Sequence, residues 1–198
     1  MKANAWREFL QQQRDLHGKV LFTVTELAHV AGVSRAALNV ELARLRKQAI
    51  LVKYAHGLYG LPGAVSVETL VSAIDPHAYI TGHYALYLHN LITQVPTTVT
   101  CFTERRSPRA RERGTPVGRL VFVCVRSGVY RPVPESPIAP PAQAFCDYVY
   151  LSRRGGLRPE SLLTFRNLQR IRTPDFPALL ARYPITVQKH VERVFERL

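Results

Sequence analysis

Apolar residues along the first sixty positions follow a helical period, break, resume it twice and then shift to alternation. In residues 4–14, Trp6, Phe9 and Leu10 share one side of a helix that should pack across the segments after it. Leu27, Ala28, Val30 and Ala31 form the stripe of a second helix, with Thr25 ahead of Glu26 as its expected N-cap. That helix stops at Gly32, because glycine takes the left-handed backbone of a sharp exit, and Val33 is positioned to fill the angle. Ser34 then caps a third helix in which Leu38, Leu42, Leu45 and Ala49 recur at i, i+4, i+7 and i+11, the spacing of a buried face. Its opposite face carries Ala36, Val40, Ala43 and Lys47, flanked by Arg35, Asn39 and Arg44. From residue 50 the period falls to two: 50–55 reads as a strand, His56-Gly57 as a two-residue turn, and 58–61 as the returning strand. Residues 20–23 are β-prone and supply a third strand, and Pro62-Gly63 closes the unit.

Beyond residue 64 the elements mix. Ser66 caps a helix that Asp75-Pro76 ends, and residues 82–91 predict another with Tyr84, Tyr87, Leu88 and Leu91 along one face. Residues 97–103 alternate as a strand, and 119–125 are almost continuously apolar, which places them centrally in a small sheet. RPVPESPIAPP holds five prolines, so it runs extended until Pro141 opens a helix buried through Ala144, Phe145, Tyr148 and Val149. Short helices over 159–168 and 175–182 precede a final one with Val187, His190, Val191, Val194, Phe195 and Leu198 on one face. The expected class is α+β: an N-terminal winged helix-turn-helix over 1–64, then a mixed α/β C-terminal domain over 65–198 with a small sheet and several helices.

Charge adds the partner. The 198-residue chain carries a net charge of +13 with 46% hydrophobic residues, which fits globular domains facing a polyanion. Within residues 1–64 nine Lys/Arg stand against four Asp/Glu, concentrated on the third helix and the hairpin. A helix entering a major groove would place Ser34, Arg35, Asn39, Arg44 and Lys47 near bases or phosphates, while the hairpin carries Lys53, His56 and Tyr59 to the backbone or minor groove. The bland alternative is a protein-interaction module of the same shape. Ala36, Val40 and Ala43 fit either thymine methyl groups or packing against the second half of the chain. Arg105, Arg106, Arg109, Arg111 and Arg113 crowd a stretch that Pro108 and Gly114 mark as a loop, either simply solvated or adding phosphate contacts.

Other chemistry is sparse. Cys101, Cys124 and Cys146 are odd in number and widely spaced, as reduced core thiols are. His83 and His89 stand six apart on different helix faces, which disfavours metal ligation. No phosphate-binding glycine loop, HExxH or GxSxG occurs, and Asp75, Glu104, Asp147 and Asp175 are isolated, so no catalytic residue, metal or cofactor is expected. With no long apolar run and no apolar leader in MKANAWREFL, a cytoplasmic protein without a membrane partner is expected.

VTELAHVAGVSRAALNVELARLRKQAIL, HGLYGLP, AYITGHYALYLHNLITQVPTTVTCFTERR and PIAPPAQAFCDYVYL together resemble the AbiEi family of antitoxins and transcriptional regulators over nearly the whole chain. The tyrosine-rich helix before QVPTTV and the proline-led AFCDYVYL helix are its more specific parts. The resemblance implies a type IV toxin–antitoxin system: the N-terminal domain represses its own operon at promoter inverted repeats, in two copies. The C-terminal domain then carries antitoxicity against a nucleotidyltransferase toxin, met directly or indirectly. By motif position it implies recognition-helix contacts at Ser34, Arg35, Asn39 and Arg44 and wing contacts at Lys53, His56 and Tyr59. Two alternatives remain beside it: a winged-helix transcription factor with no toxin partner, whose second domain senses a ligand near Tyr79, Tyr84 and Tyr87, and a nuclease.

Overall fold

The computed structural model describes residues 2–105, 112–134, 136–155 and 163–196, the side chain of Glu196 excepted. These divide into two compact units, residues 1–74 with 115–117, and residues 75–114 with 118–198.

The first unit contains α1 (Ala3–His17), β1 (Leu21–Thr23), α2 (Val24–Ala31), α3 (Arg35–Lys47), β2 (Val52–Ala55), β3 (Leu58–Gly60) and α4 (Val67–Ile74). Helices α1 to α3 enclose one apolar core of Trp6, Leu10, Leu27, Leu38, Leu42 and Leu45, closed on the sheet side by Phe22 and Tyr59. The Trp6 indole N–H donates to Glu41 Oε1 at 2.9 Å, tying α1 to α3, and its ring meets Phe9 edge-on. The sheet is antiparallel in the order β1-β3-β2, so residues 20–23 do supply the third strand.

The sequence places the division at 64/65, whereas the compact units part at 74/75. The chain does not leave the sheet at Pro62-Gly63. The Tyr54 hydroxyl donates to Leu61 O at 2.9 Å, and Val65 packs so close to Gly60 that a Cβ there would lie 2.8 Å from its Cγ2 and 2.6 Å from Val20 O. Helix α4 then begins where expected, with Ser66 Oγ accepting from Thr69 N.

The second unit is built on β4 (Tyr79–Thr81), α5 (Gly82–Leu88), β5 (Thr98–Thr103), β6 (Glu112–Thr115), β7 (Gly118–Cys124), α6 (Pro141–Arg154), a 3-10 turn at Leu168–Ile171, α7 (Phe176–Leu180) and α8 (Ile185–Glu196). Its sheet runs β4-β5-β7-β6, with β4 antiparallel and β7 parallel to β5. As expected, β7 is internal. The proline-rich segment is extended and adds a bridge to β4: Ile80 N donates to Pro137 O and Ala139 N to Ile80 O. Pro141 occupies the first turn of α6, where its missing N–H costs nothing, and every side chain from Ala142 to Val149 is buried. That helix packs against α5, α8 and β4.

Three expectations change here. Helix α5 is shorter than 82–91 and buries Ala85 and Leu86, leaving Tyr87 and Leu88 exposed, because Asn90 turns the chain in a left-handed conformation. The helix over 159–168 is absent where the chain is described; residues 163–167 are irregular and a 3-10 turn follows. Arg113 lies in strand β6 rather than in a loop, paired beside β7, where Glu112 meets Arg119.

Asp147 is the one carboxylate sealed inside this core among the described residues. Its Oδ2 accepts from Thr81 Oγ1 at 2.7 Å and the Tyr79 hydroxyl at 3.2 Å, and its Oδ1 from the Tyr183 hydroxyl at 2.7 Å. One side chain thereby joins β4, α6 and the segment before α8.

Candidate nucleic-acid interface

Helix α2 is set by a capping box: Glu26 N donates to Thr23 Oγ1 and Thr23 N donates back to Glu26 Oε2 at 2.8 Å. The cap is therefore Thr23, not Thr25, because the third strand ends at Thr23 and delivers its backbone straight into the helix. Burial pushes the Glu26 carboxyl upward, but the Lys19 ammonium at 2.6 Å and the donors of Thr23 outweigh it and hold the group below its ordinary range. Gly32 exits the helix at φ 63°, Val33 packs against the core, and Ser34 Oγ accepts from Ala37 N to start α3, all as the sequence indicates.

Leu38, Leu42 and Leu45 turn inward. Ala49 does not share their face. It sits beyond the end of α3 at φ 52°, with Ala49 N donating to Arg46 O and Ile50 N to Leu45 O. This is the paired C-terminal closure in which a left-handed residue reverses the chain, here with alanine where glycine is usual.

The outward face of α3 is open to solvent: Ser34, Arg35, Ala36, Asn39, Val40, Ala43, Arg44 and Lys47 are all exposed. Arg46 is exposed as well, a further cation legible in the run Arg44-Leu45-Arg46-Lys47. The helix has a single acid, Glu41, and its side chain is only 11% exposed, receiving the Trp6 indole and lying 3.4 Å from Arg44. The one negative charge on the element is thus spent on the fold, and the solvent-facing surface is cationic.

Beside it stands the β2-β3 hairpin. Gly57 takes φ 74° at the tip, and its carbonyl accepts from Val24 N at 3.0 Å, which fixes the tip to the start of α2. Lys53 and His56 are exposed. Tyr59 is not available as a contact: it is 8% exposed, in register with Phe22, and both belong to the core. Alternation along so short a strand does not reveal which face is the wet one.

The arginine cluster is only partly visible. Arg105 is exposed, and the Arg113 guanidinium stands 5.6 Å from the Phe122 ring centroid. Arg106, Arg109 and Arg111 lie outside the described residues.

Several of the remaining candidates hold structural roles. His89 Nε2 pairs with Ala139 O at 2.8 Å, while burial lowers the affinity of the His83 ring for a proton. Asp75 accepts from Thr103 Oγ1, and Asp147 is sealed in its ring of hydroxyls. Tyr79 spends its hydroxyl on Asp147, and Tyr87 lies at the surface. Cys101, Cys124 and Cys146 are free thiols, with burial pushing Cys101 up to about 12. Among the described residues no helix is long and apolar enough to cross a membrane.

Residues 11–62 match the model of a family described as transcriptional regulator, AbiEi antitoxin. The match covers the end of α1, the α2-α3 pair and the hairpin, and supports a regulator and antitoxin role. No curated protein matches the chain.

Proposed function

We propose that this protein is a non-enzymatic, cytoplasmic DNA-binding autorepressor and antitoxin, whose first unit is a winged helix-turn-helix that reads promoter inverted repeats. The observation that carries the reading is the exposed, cationic outer face of α3, in a segment that matches antitoxin regulators. Arg35, Arg44, Arg46 and Lys47 supply phosphate charge, Asn39 and Ser34 offer hydrogen bonds to base edges, and Lys53 and His56 on the tethered hairpin reach the adjacent backbone. The second unit counters a nucleotidyltransferase toxin, a role that rests on the family resemblance of residues 78–106 and 137–151.

Binding of the full chain to its upstream promoter, measured over a salt series, tests the reading. Specific affinity that declines steeply with salt supports it; equal affinity for promoter and random duplex removes it. Arg35→Ala or Asn39→Ala should lose sequence preference by about tenfold or more, whereas Lys53→Ala should weaken all duplexes alike and flatten the salt slope by about one.

A ligand-responsive regulator without a toxin is the second reading. It is favoured by an apolar cleft of about 630 Å³ in the second unit, lined by Phe176, Leu180, Val191 and Phe195 with Arg172 at its edge. A metabolite that raises the melting temperature and alters promoter binding would select it.

A further inference from the structure

The centre of the α3 outer face is apolar, which charge-driven binding does not explain. Opposite the buried Leu38, Leu42 and Leu45 stand Ala36, Val40 and Ala43, with Lys47 on the same line. Val40 is 74% exposed, the most exposed large hydrophobic residue among those described. It caps nothing and fills no core, and a β-branched side chain is a poor choice for an exposed helix position. Around it the surface is cationic, with Arg44 and Lys47 toward one end and Arg35 toward the other, and Asn39 beside it.

A helix lying in a major groove turns its flanks to the phosphate walls and its centre to the floor. The cations at the flanks suit the walls. An isopropyl group at the centre shuts water away from whatever base edge it covers and offers that edge no hydrogen bond. Guanine, adenine and cytosine would each lose hydration of an acceptor or donor there. Thymine alone presents a methyl group in the major groove. Ala36 and Ala43, one turn away on either side, are small enough to let the helix seat closely.

Resting on the duplex-binding reading above, we propose that Val40 is a specificity-determining residue that selects thymine through its C5-methyl group. Asn39 and Arg35 then hydrogen-bond to neighbouring positions, so the site read by α3 combines one apolar contact with flanking polar ones. The charge around the patch favours a polyanionic occupant over a second copy of this basic chain.

The test selects bound sequences from a random duplex pool with the full chain, then replaces each thymine of the best duplex by deoxyuridine, which removes only the methyl group. At least one position should lose about fourfold in affinity, the value of one buried methyl-sized group. Val40→Ala should be indifferent to the methyl at that position, where the same exchange costs the parent about fourfold. Indifference of the parent to every thymine-to-deoxyuridine exchange, with sequence preference intact, overturns the proposal and leaves the regulator reading standing. A pool that yields no enriched sequence removes both. Self-association that Val40→Ala abolishes, with DNA preference unchanged, assigns the patch to a second copy and also overturns it.

Discussion

Replacing Asp147 by asparagine should change the pH dependence of the second unit's stability more than its structure. The carboxyl is fully buried; burial pushes its pKa from 3.8 up to about 7, even though the donors of Tyr183, Thr81, Tyr79 and Gln143 pull the other way. The groups facing it are Tyr79 and Thr81 from β4, Gln143 and Cys146 from α6, and Tyr183 from the segment before α8, none of them cationic. A folded-state pKa above the unfolded one means that the native protein holds its proton more tightly. Its stabilising effect is complete below about pH 4, declines as pH rises and is gone above about pH 7. Three pH units at 1.36 kcal/mol each give a loss of roughly 4 kcal/mol across that window. Asparagine has the same shape, does not titrate, and can both donate to and accept from the surrounding hydroxyls. Urea unfolding of parent and Asp147→Asn chains at intervals from pH 4 to 8 should show the variant gaining steadily on the parent. Histidines and surface carboxylates titrate in both and cancel in the difference. A stability difference independent of pH, or one that moves in the parent's favour as pH rises, would refute the argument that desolvation outweighs the hydroxyl donors.

Two further substitutions probe the first unit. Ala49→Gly should stabilise it by about 0.5–1 kcal/mol, because the left-handed backbone at φ 52° penalises alanine and suits glycine; a lowered melting temperature would contradict the strain. Gly60→Ala should destabilise by about 2 kcal/mol or more, since the new Cβ would meet Val20 O and Val65 Cγ2 within contact distance; chemical denaturation with an unchanged midpoint would show that Val65 yields freely.

What the sequence disclosed follows from how local each signal is. Leu38, Leu42 and Leu45 lie on one turn-to-turn line, Gly32 and Ser34 act within four residues of themselves, and His56-Gly57 needs only its neighbours; all were legible. Strand β4 was not, since its three residues are buried on both faces and show no alternation, and its partner Phe102 lies over twenty residues away. Strand β6 was hidden because Glu112 and Arg113 look like the rest of a charged loop until Arg119 and Phe122 stand opposite them. Tyr59 and Asp147 show the same limit at single side chains. An amphipathic tyrosine on a short strand suits either face, and an aspartate in a helix reads as solvated until hydroxyls from 36 and 68 residues away converge on it. For the candidate interface, the element and its basic flanks were therefore evident, while the direction of individual hairpin side chains required the assembled sheet.

The chain has one tryptophan, and the fold has put it where α1 grips α3. Trp6 is shielded from solvent, and its indole is held by a carboxylate of the helix whose outer face is the candidate reading surface. Its emission is consequently a built-in optical gauge of one contact: a blue-shifted, poorly quenched spectrum while α3 is seated on α1, and a red-shifted, readily quenched one when it lifts. The second unit contributes tyrosine emission alone. Exciting at the red edge of the absorption band therefore follows the first unit by itself, in the unmodified protein, during a titration with duplex or a denaturant.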